Sequence, residues 1–441
     1  MATVEDRDRL LSSNNAVSAS SSSSSSSSIT ELDLALKSDS NFRHTTEALH
    51  AKGSSTIRHV TVTCHGSFFM WRWSSSPRTA EEERQIREFF QALGSLVNLQ
   101  SLSFVAASFG NPVTVPTELL VETLQRSIRL ERLRVHGLCL NLDKDAAQRG
   151  KTLESLELAL LQDSKLSEIS FFNSFFGSQW LTASTISSRQ QHPQLAFERL
   201  LSVCTTRLPQ LEQLCIRHRR HRVREYPGTR LSKSVIQQVA ASHSLRQLEL
   251  FNFKLFDEHW EALAEGIWLA GTYSRLHELS ISCKSFGLRA CRAVADILTT
   301  STSLQSLYLE PDKGTYSCGK HLNAECTNVL ANGLLESNSS LQSFTLQGMP
   351  VVSLEAFVKM IQVNLTLETL DVTGYQSNSL LEQDLETHLK LNQVGRYALV
   401  HDESRTASRA QWANAIIAVE GNVHCLFYLL SANPSLCNPF S

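Results

Sequence analysis

A hexapeptide with apolar residues at its first, fourth and sixth positions recurs along the chain and limits its fold more than any other feature. It starts at Ile57, Leu99, Leu130, Leu153, Leu211, Leu245, Leu276, Leu304, Leu341 and Leu367. From Leu211 onward the starts are 34, 31, 28, 37 and 26 residues apart. Alternating apolar positions are typical of a half-buried strand, so we expect a strand at each start. The 58 residues from Leu153 to Leu211 hold either a degenerate repeat or an insertion.

Apolar pairs spaced four residues apart precede most of these hexapeptides. They are Phe89 and Leu93, Leu120 and Leu124, Val235 and Val239, Leu263 and Ile267, Val294 and Leu298, Ala331 and Leu335, and Phe357 and Ile361. This spacing places both side chains on one face of a helix. Each unit is therefore expected to be a strand, a turn and a helix that can bury its apolar face only against neighbouring units.

The unit from Leu276 to Thr302 shows the pattern most completely. It has Leu276, Leu279 and Ile281 in the strand, Phe286 in the turn, Ala290 at a small position, and Val294 and Leu298 in the helix. In these residues the chain resembles leucine-rich-repeat proteins of the ribonuclease-inhibitor-like class, over residues 57–391. The resemblance implies an α/β solenoid, an irregular horseshoe with a parallel inner sheet and outer helices.

The sequence departs from that family at the ninth position of the unit. The family places Asn or Cys there, where a short polar side chain satisfies backbone groups of the turn. This chain has Ala107, Leu138, Leu161, Arg219, Phe253, Lys284, Asp312, Met349 and Tyr375 instead. We therefore expect uneven curvature and connecting loops of variable length.

The two ends of the chain differ from the repeats. Residues 1–30 include an unbroken serine run from Ser20 to Ser28 and should form a disordered tail, either a phosphorylation target or a plain solubilising segment. Residues 31–56 are expected to form an N-terminal cap. Residues 392–441 are expected to form a C-terminal helical cap, with helices in QWANAIIAVE and VHCLFYLLSANP.

Composition narrows the cellular setting and the kind of partner. Lys and Arg total 41 against 43 Asp and Glu, so the chain lacks the basic excess of a dedicated nucleic-acid binder. The ten cysteines include no CxxC pair, and the acidic start MATVEDRDRL is unlike a secretory signal. Without an apolar run of membrane-spanning length, we expect a cytoplasmic or nuclear protein that does not bind a membrane.

Strand residues that alternate with the core leucines should point out of the concave face and form the partner-binding surface. The candidates, on this face and its rim, are Arg132, Arg134, His136, Arg217, Arg219, Arg220, Arg222, Glu249, Phe251, Glu278, Tyr308, Glu310 and Asp371. Ser155 and Glu157 join this face if a strand starts at Leu153. The face is expected to be basic toward its N-terminal end and acidic toward its C-terminal end. If Leu153 and Leu211 start neighbouring strands, Arg132 and Arg134 lie within roughly 10 Å of Arg217.

Two further segments have alternative interpretations. Residues 217–225, RHRRHRVRE, are a solvated insertion, a docking site for an acidic protein, or a nucleic-acid contact. The lack of aromatic residues among the arginines disfavours the nucleic-acid contact. Residues 68–73, FFMWRW, either pack over the N-terminal edge of the sheet or form an exposed binding hot spot.

Catalytic and metal motifs are weak. Gly150–Thr152, GKT, lacks the upstream glycine of a phosphate-binding loop and is interpreted as a turn. Cys318, His321 and Cys326 lie close in sequence but lack a fourth zinc ligand, so a loop of unrelated residues is favoured. The sequence predicts no catalytic residue, no cofactor and no metal.

The repeat and the weakness of the catalytic motifs favour a non-enzymatic protein-protein interaction scaffold that uses its concave face. An alternative is a direct regulator of an enzyme, either an inhibitor or a GTPase-activating protein, since some members of this fold act in that way. Such an activator would present Arg217 or Arg219 at the rim. An F-box substrate receptor is disfavoured because fewer than sixty residues precede the first repeat.

Overall fold

The computed structural model describes most of the chain after residue 30. The described residues are 31–36, 40–51, 56–64, 79–106, 113–136, 138–141, 146–162, 165–172, 192–217, 231–251, 253, 255–283, 286–311, 322–336, 340–372, 378–401 and 407–437. The predictions for residues 1–30 and 68–73 lie outside them.

Eleven strands of the described chain form one sheet in which every neighbouring pair is parallel and the order follows the sequence. They are β1 (Glu31–Leu36), β2 (His59–Cys64), β3 (Ser101–Ala106), β5 (Arg132–His136), β7 (Glu168–Phe172), β8 (Gln213–Arg217), β9 (Gln247–Phe251), β10 (Glu278–Cys283), β11 (Ser306–Pro311), β12 (Ser343–Leu346) and β13 (Thr369–Asp371). A second, two-stranded sheet pairs β4 (Val113–Pro116) with β6 (Leu138–Asn141).

A helix connects each strand of this sheet to the next, as parallel pairing requires, and three more α-helices follow the last strand. They are α1 (Ser40–Ala51), α2 (Ala80–Gly94), α3 (Thr117–Arg126), α4 (Ala146–Gln162), α5 (His192–Arg207), α6 (Lys233–Ala240), α7 (Asp257–Ala270), α8 (Leu288–Thr300), α9 (Ala324–Glu336), α10 (Glu355–Val363), α11 (Ser379–Gln393), α12 (Arg409–Ala418) and α13 (Val423–Ala432). From α1 to α11 each helix packs beside the next one in the chain. The predicted fold class is confirmed: the chain is an α/β repeat solenoid.

Alternate residues of each strand form continuous buried rows between the sheet and the helices. Leu248 is aligned with Leu279, Leu279 with Leu307, and Leu307 with Phe344, and all four side chains are almost fully buried. Burying one such side chain contributes about 1.5–3 kcal/mol. Each row continues across neighbouring strands, so the core of one unit is completed only by the units beside it.

The predicted apolar helix pairs are buried with one exception. Leu335 on α9 is 42% exposed, while its neighbour Leu334 is buried beside Leu330 and Ala331. Leu330 and Leu334 are four residues apart and share one face of the helix. The prediction that Leu335 lies on this face was therefore wrong by one residue.

The strand predicted at Leu153 was also wrong, because residues 153–158 lie within α4. Leu156 and Leu160 are buried there at helical spacing, and Glu157 is buried instead of lying on the sheet. The strand of this unit is β7, whose hexapeptide LSEISF begins at Leu166. The GKT motif also lies within α4, which contradicts the predicted turn.

Residues 31–51 continue the repeat. The strand β1 pairs in parallel with β2 over its whole length, with Leu32 and Leu34 buried. The segment predicted as a cap thus supplies a strand and a helix of the same kind as the later units.

Polar side chains in the turns that lead into the strands satisfy backbone carbonyls of the preceding unit. Ser303 donates to the carbonyl oxygen of Leu276 at 3.0 Å, and Ser340 donates to that of Leu304 at 3.0 Å. After the last strand, Asn392 near the C-terminal end of α11 donates to the carbonyl oxygen of Leu367 at 2.8 Å. Buried carbonyls need such partners. The turn before the strand therefore supplies part of the polar bonding that the family places at the ninth position, where Phe253 and Met349 are buried apolar residues.

Two helices, α12 and α13, match those predicted near the C-terminus, and they pack against the end of α11. A small core of Leu391, Trp412, Ala415, Val419, Cys425 and Leu429 holds them together, separate from the core of the repeats. In the described ranges every helix is too short or too polar to span a bilayer.

Arg396 ties this helical segment to the repeats. Its guanidinium is buried and donates to the carbonyl oxygens of Ile361 at 3.0 Å and Asn364 at 2.8 Å, at the C-terminal end of α10. A cation is favourable at that end of a helix. A third bond runs from Arg396 to the Nδ1 atom of His388 at 2.8 Å, so this ring nitrogen accepts and His388 is neutral.

Gly266 permits the close approach of α6 and α7. A Cβ atom at this position would lie 2.6 Å from the Cβ of Ala240 and closer still to the carbonyl oxygen of Gln237. Gly266→Ala is expected to lower the free energy of unfolding by about 1–3 kcal/mol through overpacking. Chemical denaturation measures this change. Glu265→Ala on the exposed side of α7 is the control and should change stability by about 0.5 kcal/mol or less. Equal effects of the two variants would contradict the packing argument.

His388 should make stability depend on pH. Burial and then the charge of Arg396 lower the pKa of His388 below its ordinary value near 6.5, against an opposing effect of Asp384. The unfolded chain therefore binds the proton more readily, and stability is lost as the pH falls below about 6.5. Thermal unfolding between roughly pH 7.5 and 5 should show a flatter dependence in His388→Gln, since Gln still accepts from Arg396 but does not titrate. An unchanged pH profile would show that His388 does not contribute.

Candidate functional site

The side of the eleven-stranded sheet opposite the helices is here called the open face. It consists of alternate strand residues: Glu31, Asp33, Ala35, His59, Thr61, Thr63, Ser101, Ser103, Val105, Arg132, Arg134, Glu168, Ser170, Gln213, Cys215, Arg217, Gln247, Glu249, Phe251, Glu278, Ser280, Ser282, Ser306, Tyr308, Glu310, Ser343, Thr345, Thr369 and Asp371. The parallel register aligns them in rows across the strands. One row runs from Cys215 through Glu249, Ser280, Tyr308 and Thr345 to Asp371.

A polar cluster occupies the middle of the open face on β8 and β9. The carboxylate of Glu249 accepts from Arg217 at 2.8 and 3.1 Å, from the Cys215 thiol at 2.7 Å, and from Gln247 at 2.9 Å. Burial acts to raise the pKa of Glu249, but the charge of Arg217 and these hydrogen bonds outweigh it and hold the pKa below its ordinary value. The Glu249 carboxylate is therefore ionised and fully engaged.

The same cluster argues against a reactive cysteine. Burial, followed by the negative charge of Glu249, raises the pKa of Cys215 well above its ordinary value. The nucleophilic form of cysteine is the thiolate. Cys215 is thus a protonated hydrogen-bond donor within the open face.

An aromatic pair lies next to this cluster. The Arg217 guanidinium lies 4.7 Å from the centre of the Phe251 ring, and the Phe251 and Tyr308 rings are 5.8 Å apart. The Tyr308 hydroxyl donates to Gln347 and also contacts Glu310 at 3.3 Å. Both rings are half-buried, so they present apolar surface in the middle of a polar face.

The predicted basic region is not a single basic patch. Arg134 pairs with Glu168, which also accepts from Ser170 at 3.3 Å. Arg132 contacts the Nδ1 atom of His59 at 3.2 Å. β7 lies between β5 and β8. Its Glu168 is aligned with Arg132 and Gln213, whereas Arg217 is aligned with Phe172 at the other end of that strand.

The other predicted residues are placed as follows. Glu278 and Asp371 are exposed on the open face, whereas Glu310 is buried. His136 lies on β5, but its side chain is outside the described set. Arg219, Arg220 and Arg222 lie outside the described residues, as do Cys318 and His321 of the sequence cluster considered for zinc. The structure thus brings Arg217, Glu249, Phe251 and Tyr308 together and separates them from Arg132 and Arg134.

Sequence reasoning missed Glu31, Asp33, Glu168 and Ser170. The missed signals were hexapeptides at Ile29, ITELDL, and Leu166, LSEISF, which fit the same pattern as the ten recognised ones. With these residues the N-terminal part of the open face carries three carboxylates beside its two arginines. The predicted basic character of that part was therefore wrong.

Metal-ligating side chains do not gather in groups of three or more within the described ranges. Cys326, the one described member of the cluster considered for zinc, is buried on α9. Comparison with known proteins finds no matching family model and no matching curated protein. The fold and the chemistry of the open face are therefore the basis for a functional proposal.

Glu249→Gln tests the central cluster. The substitution leaves the partly buried Arg217 without its counter-charge and is expected to lower the free energy of unfolding by about 2 kcal/mol near neutral pH. Because the pKa of Glu249 is depressed in the folded chain, its contribution is present above its ordinary value near 4.5 and is lost as the pH falls through the folded value. Chemical denaturation near neutral pH and again below pH 4 measures both effects.

Glu261→Gln is the matched control. It removes the partner of Arg289 in an exposed ion pair on the helix side and should cost less than about 1 kcal/mol. If Glu249→Gln lowers the free energy of unfolding no more than Glu261→Gln does, the cluster contributes no more to stability than an exposed ion pair.

Proposed function

We propose that the chain is a leucine-rich-repeat protein of the ribonuclease-inhibitor-like class and that it is a non-enzymatic module for protein-protein interaction. The support for the class is the unit from Leu276 to Thr302. There, Leu279 and Ile281 are buried in the strand, Phe286 in the turn, and Ala290 with Val294 in the helix.

The functional part of the proposal rests on the open face of the sheet. Eleven strands about 4.8 Å apart give an open face roughly 50 Å long. Several side chains of this face are exposed, namely Glu31, Asp33, Arg134, Glu278 and Asp371. Its centre combines an aromatic pair with a stacked arginine, the residue types that most often dominate binding energy at protein interfaces.

The geometry of Arg217 favours binding over the regulation of a GTPase through a catalytic arginine. A catalytic arginine has to reach into the partner's active site. Arg217 is held by two hydrogen bonds to Glu249 and by the Phe251 ring, which fix it on the sheet. Inhibition of an enzyme by occlusion remains compatible with the proposed interaction module, because it needs only a binding surface.

A bulky residue on the open face tests the proposal. Thr345→Trp places an indole between β11 and β13 on a half-buried, otherwise small position and should reduce recovery of native partners at least about tenfold by steric exclusion. Affinity purification from the native cell with quantitative mass spectrometry measures this loss. Asn332→Trp on the exposed side of α9 is the control and should leave recovery unchanged. Equal partner recovery from wild type and both variants would contradict binding through this face.

A further inference from the structure

The C-terminal part of the open face, on strands β10 to β13, carries two exposed carboxylates that have no cationic partner among the described residues. Glu278 on β10 and Asp371 on β13 are both exposed. Among the described residues neither takes part in an ion pair. The described open-face positions of these four strands include no lysine or arginine. The described part of the chain thus supplies no cation to either carboxylate.

The middle of the open face, on β5 to β9, shows a different arrangement. Arg134 pairs with Glu168 and Arg217 pairs with Glu249, so both ion pairs are completed inside the chain. The change occurs just after β9. Glu278 and Asp371 thus differ from the structural carboxylates in both exposure and pairing.

The spacing of the two carboxylates matches an extended peptide. They lie three strand spacings apart, about 14 Å across the sheet, and the two-residue offset in register increases this to roughly 16 Å. An extended chain rises about 3.4 Å per residue, and residues i and i+4 project to the same side about 14 Å apart. The length of lysine or arginine side chains covers the remaining difference.

Most side chains between the two carboxylates are short and carry a hydroxyl group. Ser306 and Tyr308 on β11 and Ser343 and Thr345 on β12 lie on the intervening strands, and Ser280 lies beside Tyr308 on β10. These short side chains allow a backbone to approach the sheet closely. Their hydroxyls can donate to or accept from the amide groups of a peptide.

We propose that this part of the open face binds an extended segment of a partner protein that carries two basic residues four positions apart. The proposal rests on the proposed interaction function and adds the chemistry of the partner. One cation pairs with Glu278, the other with Asp371, and a side chain between them contacts Tyr308. A single metal ion cannot bridge carboxylates at this separation, since its ligands lie within about 2.6 Å of it. The negative charge also repels nucleic-acid phosphates.

Two synthetic peptides test the spacing. The probe is the fluorescent peptide TVTRTVTRTVT, whose arginines are four positions apart, and the comparison peptide has the same composition with the two arginines adjacent. We expect fluorescence anisotropy to show binding of the probe about tenfold tighter than that of the comparison peptide, because adjacent residues of a strand point to opposite sides. Binding of the probe should weaken between roughly 0.05 M and 0.5 M salt. Equal affinities, or no binding of the probe at about 1 mM, would overturn the proposal.

Charge-neutral variants test the two carboxylates. Glu278→Gln with Asp371→Asn should weaken probe binding about tenfold while leaving thermal unfolding unchanged, since both side chains are exposed. The matched control is Glu265→Gln with Asp296→Asn, which removes the same charges from the exposed side of α7 and α8 and should not affect binding. Equal weakening by both double variants would show general attraction to an acidic protein and overturn the assigned site.

Native partner recovery separates this proposal from the general one. If Thr345→Trp abolishes recovery but the Glu278 and Asp371 double variant does not, the open face binds a partner of different chemistry and only the present proposal fails. If neither changes recovery, the proposed interaction function fails as well. Loss of partner recovery in both Thr345→Trp and the double variant supports binding of a basic segment.

Discussion

The parallel register between successive strands is the constraint on which the rest of the structure depends. It aligns Leu279 with Leu248 on one side and with Leu307 on the other, so that one buried row crosses many units. Side chains of a strand alternate between its two faces, and a shift of one residue would move the whole row from the core to the open face. The same register therefore also fixes which polar residues stand side by side on the open face, including Glu249 beside Cys215.

Much of the fold could be predicted because the repeat period and the strand alternation are both encoded locally. The prediction failed at Leu153, where the hexapeptide LESLEL fits a strand by its apolar positions but is equally compatible with a helix. Leu156 and Leu160 are spaced for a helix, and tertiary packing decides between the two interpretations. The following hexapeptide, at Leu166, supplies the strand β7 between β5 and β8 instead.

The sequence could predict which residues lie at the candidate site, but not how their side chains interact. Alternation along the strands is sufficient to place Arg217, Glu249 and Phe251 on one face of the sheet. The pairing of Arg134 with Glu168 could not be foreseen, because it requires β7 to be recognised as the intervening strand. The role of Cys215 as a donor to Glu249 depends on side-chain conformation, which sequence periodicity does not specify.

The separate core of the last helices divides the chain into two cooperative units of unequal size. The helix α11 contributes Leu385 to the core of the repeats and Leu391 to the small core, so one helix borders both. Opening of α12 and α13 exposes only the small core and leaves every strand pairing intact, whereas opening within the sheet disrupts two neighbouring interfaces. Backbone amides of α12 and α13 therefore exchange with solvent through a subglobal opening, at a lower free-energy cost than those of the central strands.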